Sequence, residues 1–262
     1  ALDELTLEAP LVLDGSAAVQ VQVTVGERDV DGARPIAVYS RPDRADGGST
    51  DWARHATGLV AAADTGVATD AAVGLAAEAW PPEGAEAFDA EGLYDRLAEH
   101  GFDYGPAFRG VTVAWRRGDD LFAEVALDPA HVADAAEFAL HPGLFDAALH
   151  LAFGEALDLG VRPAFAWTGV RLHQPGVTAL RVRITGARTD TLTVAATDAN
   201  GRPVLSVAAV ASLVLATPAL HTHTNLPIVD KLRVLWSVLT RRRRARAAGH
   251  ATTTSGPRRS AR

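Results

Sequence analysis

The segment HPGLFDAALH, from His141 to His150, sets an aspartate and a histidine four residues apart in an otherwise apolar run. Pro142 suits the first position of a helix, because its missing N–H has no partner to lose there. Leu144, Phe145, Ala148 and Leu149 then recur at helical spacing. Residues at i and i+4 share a face, so Asp146 and His150 should point the same way. Two readings fit this pair. One is a surface contact contributing about 0.2–0.5 kcal/mol. The other is a carboxyl group held in an apolar wall, its pKa raised so that it can donate a proton. The chain has no cysteine, which removes thiolate nucleophiles, disulfides and Cys-ligated zinc. His221 and His223 have the spacing of a metal pair, but no third ligand accompanies them, so no metal site is expected.

The elements that must hold these residues are legible in the periodicity. Residues 19–25, VQVQVTV, alternate strictly and predict a half-buried strand. Residues 5–13, 35–40 and 55–63 read as further strands, with a Gly- and Asp-rich loop over 43–51. WPPEGAEA, from Trp80, cannot continue a helix or a strand and reads as a linker. Beyond it, Asp89 caps a short helix whose inward residues are Leu93 and Leu97, and Gly101 ends it. Strands at 108–116 and 121–127 flank a Gly-Asp turn, and one helix is predicted from 142 to about 153. Alternating segments at 180–185 and 191–197 precede Asn200-Gly201, read as a hairpin turn leading to a return strand over 204–215. A long apolar helix among antiparallel strands implies an α+β layer structure with the sheet wrapped on the helix.

Hydrophobic residues make up 48% of the 262, enough for a sizeable core. No apolar run is long enough to span a membrane, and the acidic start ALDELTLEAPLVL is unlike a secretory signal, so a cytoplasmic location is expected. The net charge of −7 conceals an asymmetry: residues 217–262 hold ten of the 25 basic side chains and one of the 32 acidic ones. Within that tail Ile228, Leu232, Leu235 and Leu239 suggest a helix over 227–240, followed by Arg241 to Arg244. It reads as a basic amphipathic helix, a cover for part of the sheet, or an abnormal end; the rest of the tail is expected to be disordered. The charge alone does not make a nucleic-acid site, since no recognition motif accompanies it.

Four segments resemble one family. GFDYGPAF (Gly101 to Phe108) resembles the GYxYGPxF motif of the dehydratase domains of modular polyketide synthases, with Phe102 in place of the first tyrosine. HPGLFDAALH resembles their HPxLLDAxxQ/H motif, PAFAWTGVRL (Pro163 to Leu172) their LPFxWxxVxLH segment, and WARHATG (Trp52 to Gly58) their WxRHAxG strand. The order and spacing also fit, over roughly residues 1–215. The resemblance implies a double hotdog fold, two antiparallel sheets each wrapped on a helix. It implies removal of water from a 3-hydroxyacyl chain on the phosphopantetheine arm of an acyl carrier protein, giving a trans-2-enoyl thioester. Asp146 would then protonate the departing hydroxyl, with His150 orienting it. Tyr104 would position acid or substrate, presented by the Gly105-Pro106 turn, and Phe165 and Trp167 would bind substrate. No cofactor is implied beyond the carrier's arm, since general acid and base groups suffice. The partners implied are the carrier protein, other synthase domains and a second copy in a homodimer; nucleic acid and membrane are not.

The family's base is a histidine in an HxxxGxxxxP motif, and residues 1–262 contain no such motif. The opening LDELTLEAPLVL resembles the stretch that follows that motif and the first hotdog helix. The expected organisation is therefore a partial N-terminal hotdog over 1–80 with an uncovered apolar face, a linker over 81–90, a C-terminal hotdog over 91–216 and the basic tail over 217–262. His55, His100, His141 and His173 each look structural rather than basic catalysts. The alternative to an active dehydratase is an inactive remnant or a docking fragment of a synthase; a ring-closing relative of the same fold ranks last.

Overall fold

The computed structural model describes residues 1–9, 11, 18–43, 51–62, 70–157, 161–189 and 191–214. The described strands are β1 (Leu2–Leu7), β2 (Val19–Val25), β3 (Arg34–Pro42), β4 (Ala53–Val60), β5 (Glu86–Phe88), β6 (Val111–Arg117), β7 (Asp120–Ala126), β8 (Val161–Leu172), β9 (Ala179–Thr185), β10 (Thr191–Thr197) and β11 (Pro203–Val214). Helices α1 (Asp70–Ala76), α2 (Glu91–Glu99), α3 (Pro142–Ala147) and α4 (His150–Leu157) accompany them. The strands form one antiparallel sheet in the order β2-β3-β4-β1-β8-β11-β10-β9-β7-β6-β5. It is two hotdog sheets joined edge to edge, with β1 paired to β4 on one side and to β8 on the other. That double pairing moves β1 forward from the expected 5–13 to Leu2–Leu7.

In the second sheet, α3 packs on β7 while α4 packs on β7 and β8, and α1 lies against β10 and β11. Val194, Ala195, Ala196 and Thr197 of β10 are consequently all buried, where a one-sided sheet would alternate. Helix α2 forms as its sequence dictates. The Asp89 carboxylate accepts the Gly92 N–H at 3.0 Å, and Leu93 and Leu97 are fully buried. At its end the Phe102 N–H reaches back to the Leu97 carbonyl at 2.8 Å around Gly101.

Three expectations change. The single helix over 142–153 is two helices. Leu149 N–H bonds the Asp146 carbonyl at 2.9 Å, an i to i−3 contact that tightens the chain between α3 and α4. The Asn200-Gly201 hairpin forms as expected, through a three-residue loop closed by Asp198 N–H to the Arg202 carbonyl at 2.9 Å, with Gly201 at φ +78°. That positive φ is the left-handed position such loops end on, which glycine takes without a steric cost. The stretch read as a linker is docked: the Trp80 indole N–H donates to Glu124 at 2.7 Å, its ring meets Trp115 edge-on, and β5 pairs with β6. Finally, Leu5, Ile36, Val38 and Ala56 are at most 4% exposed and share one core with the second sheet. The apolar face of the first sheet is therefore covered at these positions. Among the described residues, no helix has its main packing on β1–β4. No helix among the described residues is long and apolar enough to cross a membrane. The tail over 217–262, with His221 and His223, lies outside the described residues.

Candidate active site

Helix α3 is fixed at its start by His141, whose Nδ1 accepts the Gly143 N–H at 3.1 Å, and by Pro142 in the first turn. Its N-terminus presses on the turn made by Pro106–Phe108. A Cβ on Gly143 would stand 2.9 Å from the Ala107 carbonyl oxygen, so this approach requires glycine. Gly105 precedes that turn in an extended conformation and Pro106 opens it. The Tyr104 carbonyl is held by the Arg109 guanidinium at 2.8 Å. Sequence features that looked like isolated motifs are thus one contact: the Gly-Pro turn supports the helix that carries Asp146.

Asp146 ends up 5% exposed and His150 fully buried. Asp146 Oδ2 and His150 Nε2 lie 3.3 Å apart, yet the contact is not aligned as a hydrogen bond, and neither atom has another hydrogen-bond partner. Buried polar atoms without partners are rare in folded proteins because each costs about 1–3 kcal/mol. The surface-pair reading of these two residues is excluded by their burial. The Tyr104 ring packs on the imidazole with centroids 4.1 Å apart. Phe165 and Trp167 are brought to β8, which packs against α4; Phe165 is half-buried. Trp167 is 3% exposed, paired across the sheets with Leu5 and Val210, and its indole N–H has no hydrogen-bond partner.

Sequence reasoning missed one member of this group. Tyr94 of α2 is buried, and its hydroxyl lies 3.1 Å from His150 Nδ1 and accepts the Val111 N–H at 3.0 Å. The signal was present: Tyr94 lies beside Leu93 on the buried face of α2, and a buried phenol needs a partner for its hydroxyl. Burial pushes the Tyr94 phenol well above its ordinary pKa, so it stays protonated at neutral pH. Burial lowers the pKa of His141, with the neighbouring His131 adding to the effect.

The other described histidines are engaged elsewhere. His55 bridges Ser40 at 2.7 Å and the Ala9 carbonyl at 3.2 Å. His100 Nδ1 meets the Arg96 carbonyl at the end of α2, and His173 meets Ser206 at 3.0 Å. The Asp146–His150 pair is thus buried with its facing atoms unpartnered, and Tyr104 and Tyr94 pack against the imidazole.

Comparison with known proteins gives this geometry its context. Residues 72–215 match the family model described as the polyketide synthase dehydratase N-terminal domain, more than half of the chain. Polyketide synthase GfsA of Streptomyces halstedii is 51% identical over 220 residues, which cover 82% of this chain and 3% of that synthase. A structure from a study of dehydratase substrate selection in the borrelidin and fluvirucin polyketide synthases is 43% identical with a TM-score of 0.70, covering 83% of this chain and 74% of the other. The crystal structure of the dehydratase domain from the terminal module of the rifamycin polyketide synthase is 40% identical with a TM-score of 0.69, covering 80% and 73%. Sequence, fold and a buried acid–imidazole pair agree: this chain belongs to the dehydratase domains of polyketide synthases.

Proposed function

We propose that this domain removes water from a 3-hydroxyacyl thioester on the phosphopantetheine arm of an acyl carrier protein, leaving a trans-2-enoyl thioester. The observation that carries the reading is the buried Asp146–His150 pair, whose facing atoms lack partners in a chain of this family. Hydroxide is a poor leaving group, so the reaction needs a proton at the C3 oxygen. Asp146 supplies it. As a base takes the C2 proton, the C2–H electron pair becomes the C2=C3 bond. The C3–O bond breaks, its oxygen takes the Asp146 proton, and water departs. His150 orients the Asp146 carboxyl. Tyr104 and the Gly105-Pro106 turn position the acid, and Phe165 and Trp167 bind the acyl chain. The base is assigned, by the family resemblance, to a histidine outside residues 1–262. No metal or organic cofactor enters this scheme. The partners are the carrier protein and other synthase domains, with homodimerisation and a cytoplasmic location following from the same reading.

A second reading, an inactive remnant or docking fragment, draws on the absence of an HxxxGxxxxP motif from residues 1–262. Turnover separates the two. The synthase polypeptide that contains this chain is given a 3-hydroxyacyl thioester on its carrier protein, and the enoyl product is followed by mass spectrometry. Dehydration that is lost in Asp146→Asn supports the proposal. Absence of product from the unmodified polypeptide favours the remnant.

A further inference from the structure

We infer that Tyr94 is a positioning residue that holds His150 in its Nε2–H form, which puts the protonated nitrogen 3.3 Å from Asp146 Oδ2. Only its effect on turnover rests on the dehydratase reading; the tautomer stands on geometry. The Tyr94 oxygen receives the Val111 N–H at 3.0 Å. A phenol oxygen has two acceptor positions and one proton to give. The hydroxyl proton needs an acceptor, and His150 Nδ1, 3.1 Å away, is the group placed to accept it. Nδ1 therefore accepts, and in a neutral imidazole the other nitrogen must be protonated. In the opposite form Nδ1–H would face the Tyr94 oxygen, and the phenol proton would lose this acceptor.

Tyr94 thus acts at a distance from the reacting atoms. It sits on α2, and α2 is held against α4 where Leu93 meets Gly154.

Long-range 1H–15N spectra of the full chain with labelled histidine, taken at about pH 8, read the tautomer directly, well above the ordinary histidine pKa of about 6.5. The His150 signals are assigned by their loss in His150→Gln. The expected pattern is protonated Nε2 and bare Nδ1, with a mixed or inverted pattern in Tyr94→Phe. A protonated Nδ1 in the unmodified chain overturns the inference, and so does a Tyr94→Phe spectrum identical to the original. Should Tyr94→Phe fail to fold, the unmodified chain alone still decides. In the synthase, Tyr94→Phe should lower kcat at least about tenfold, part of the roughly 10²–10⁴ that a placed acid contributes, with KM little changed. If the unmodified synthase makes no enoyl product while the Nε2–H pattern is present, the dehydratase reading fails and the tautomer stands. If turnover is normal and Nδ1 is protonated, only the inference about Tyr94 fails.

Discussion

His55 and His150 are both buried, one in each half of the molecule, and they are satisfied differently. His55, on β4, uses both ring nitrogens. The Ala9 carbonyl can only accept, so Nδ1 donates to it, and Nε2 accepts from the Ser40 hydroxyl at 2.7 Å. His150, at the start of α4, uses one nitrogen on Tyr94 and leaves the other facing a carboxyl oxygen without an aligned hydrogen bond. The first arrangement has nothing left to offer a substrate and reads as a strut between β3, β4 and the chain after β1. The second keeps an unmet polar pair in the buried interior, at a cost to stability that a binding or proton-transfer role would explain. Burial alone would not have separated them; the count of satisfied nitrogens does.

Substitutions can break this contrast. The largest effect is expected for Asp146→Asn. Dehydration by the intact synthase should fall about 10²–10⁴-fold, while the melting temperature stays close to the original, because the amide keeps the shape of the acid. Retained turnover would remove Asp146 from the acid role. His55→Leu should do the reverse. It strands the Ser40 hydroxyl and the Ala9 carbonyl, so the urea midpoint should drop by an amount equivalent to about 1–3 kcal/mol. Any chain still folded should keep its rate. A rate lost without a change in midpoint would mean that His55 takes part in chemistry.

A smaller effect sharpens the link between Tyr94 and His150. In Gly154→Ala the new Cβ would fall 2.5 Å from the Leu93 side chain, pushing α2 off α4. The strain, about 1–3 kcal/mol, is partly offset by the better helix propensity of alanine, about 1 kcal/mol. A net loss of about 1 kcal/mol is expected in denaturant melts, together with a lower rate as the Tyr94 hydroxyl moves from the imidazole. Stability loss with an unchanged rate would argue against coupling between the helices and the site.

The smallest effect concerns pH. Burial lowers the folded-state pKa of His141 below its ordinary value of about 6.5. Between those two values the unfolded chain binds more protons, so stability rises with pH there. The His141 contribution is full above about pH 6.5 and is lost as the pH falls through the folded pKa. His173, whose pKa burial also lowers, adds in the same direction. Melting curves from pH 7 to pH 5 should therefore fall less steeply for His141→Asn, which keeps a cap acceptor for the Gly143 N–H without a titrating group. Equal slopes would show that the His141 proton is not linked to folding.

Much of this was legible in the residues themselves. The alternation of VQVQVTV set β2 at Val19–Val25, and Asp89, the Leu93 and Leu97 pair and Gly101 set α2, because hydrogen bonds and periodicity within a few residues decide such elements. The i, i+4 spacing brought Asp146 toward His150, and the Gly-Pro turn and the His-Pro start of α3 were recognisable as punctuation. Tertiary structure decided the rest. The break between α3 and α4 follows no proline or glycine at Ala148 or Leu149. The edge-to-edge joining of the sheets through β1 and β8 depends on residues about 160 positions apart, with Leu5 opposite Trp167. Likewise the hydroxyl that holds His150 comes from Tyr94, 56 residues earlier. Local sequence fixes which face of an element is apolar and where it starts and stops. Which polar atoms then meet inside the core is set by packing between distant segments, and no short-range pattern records it.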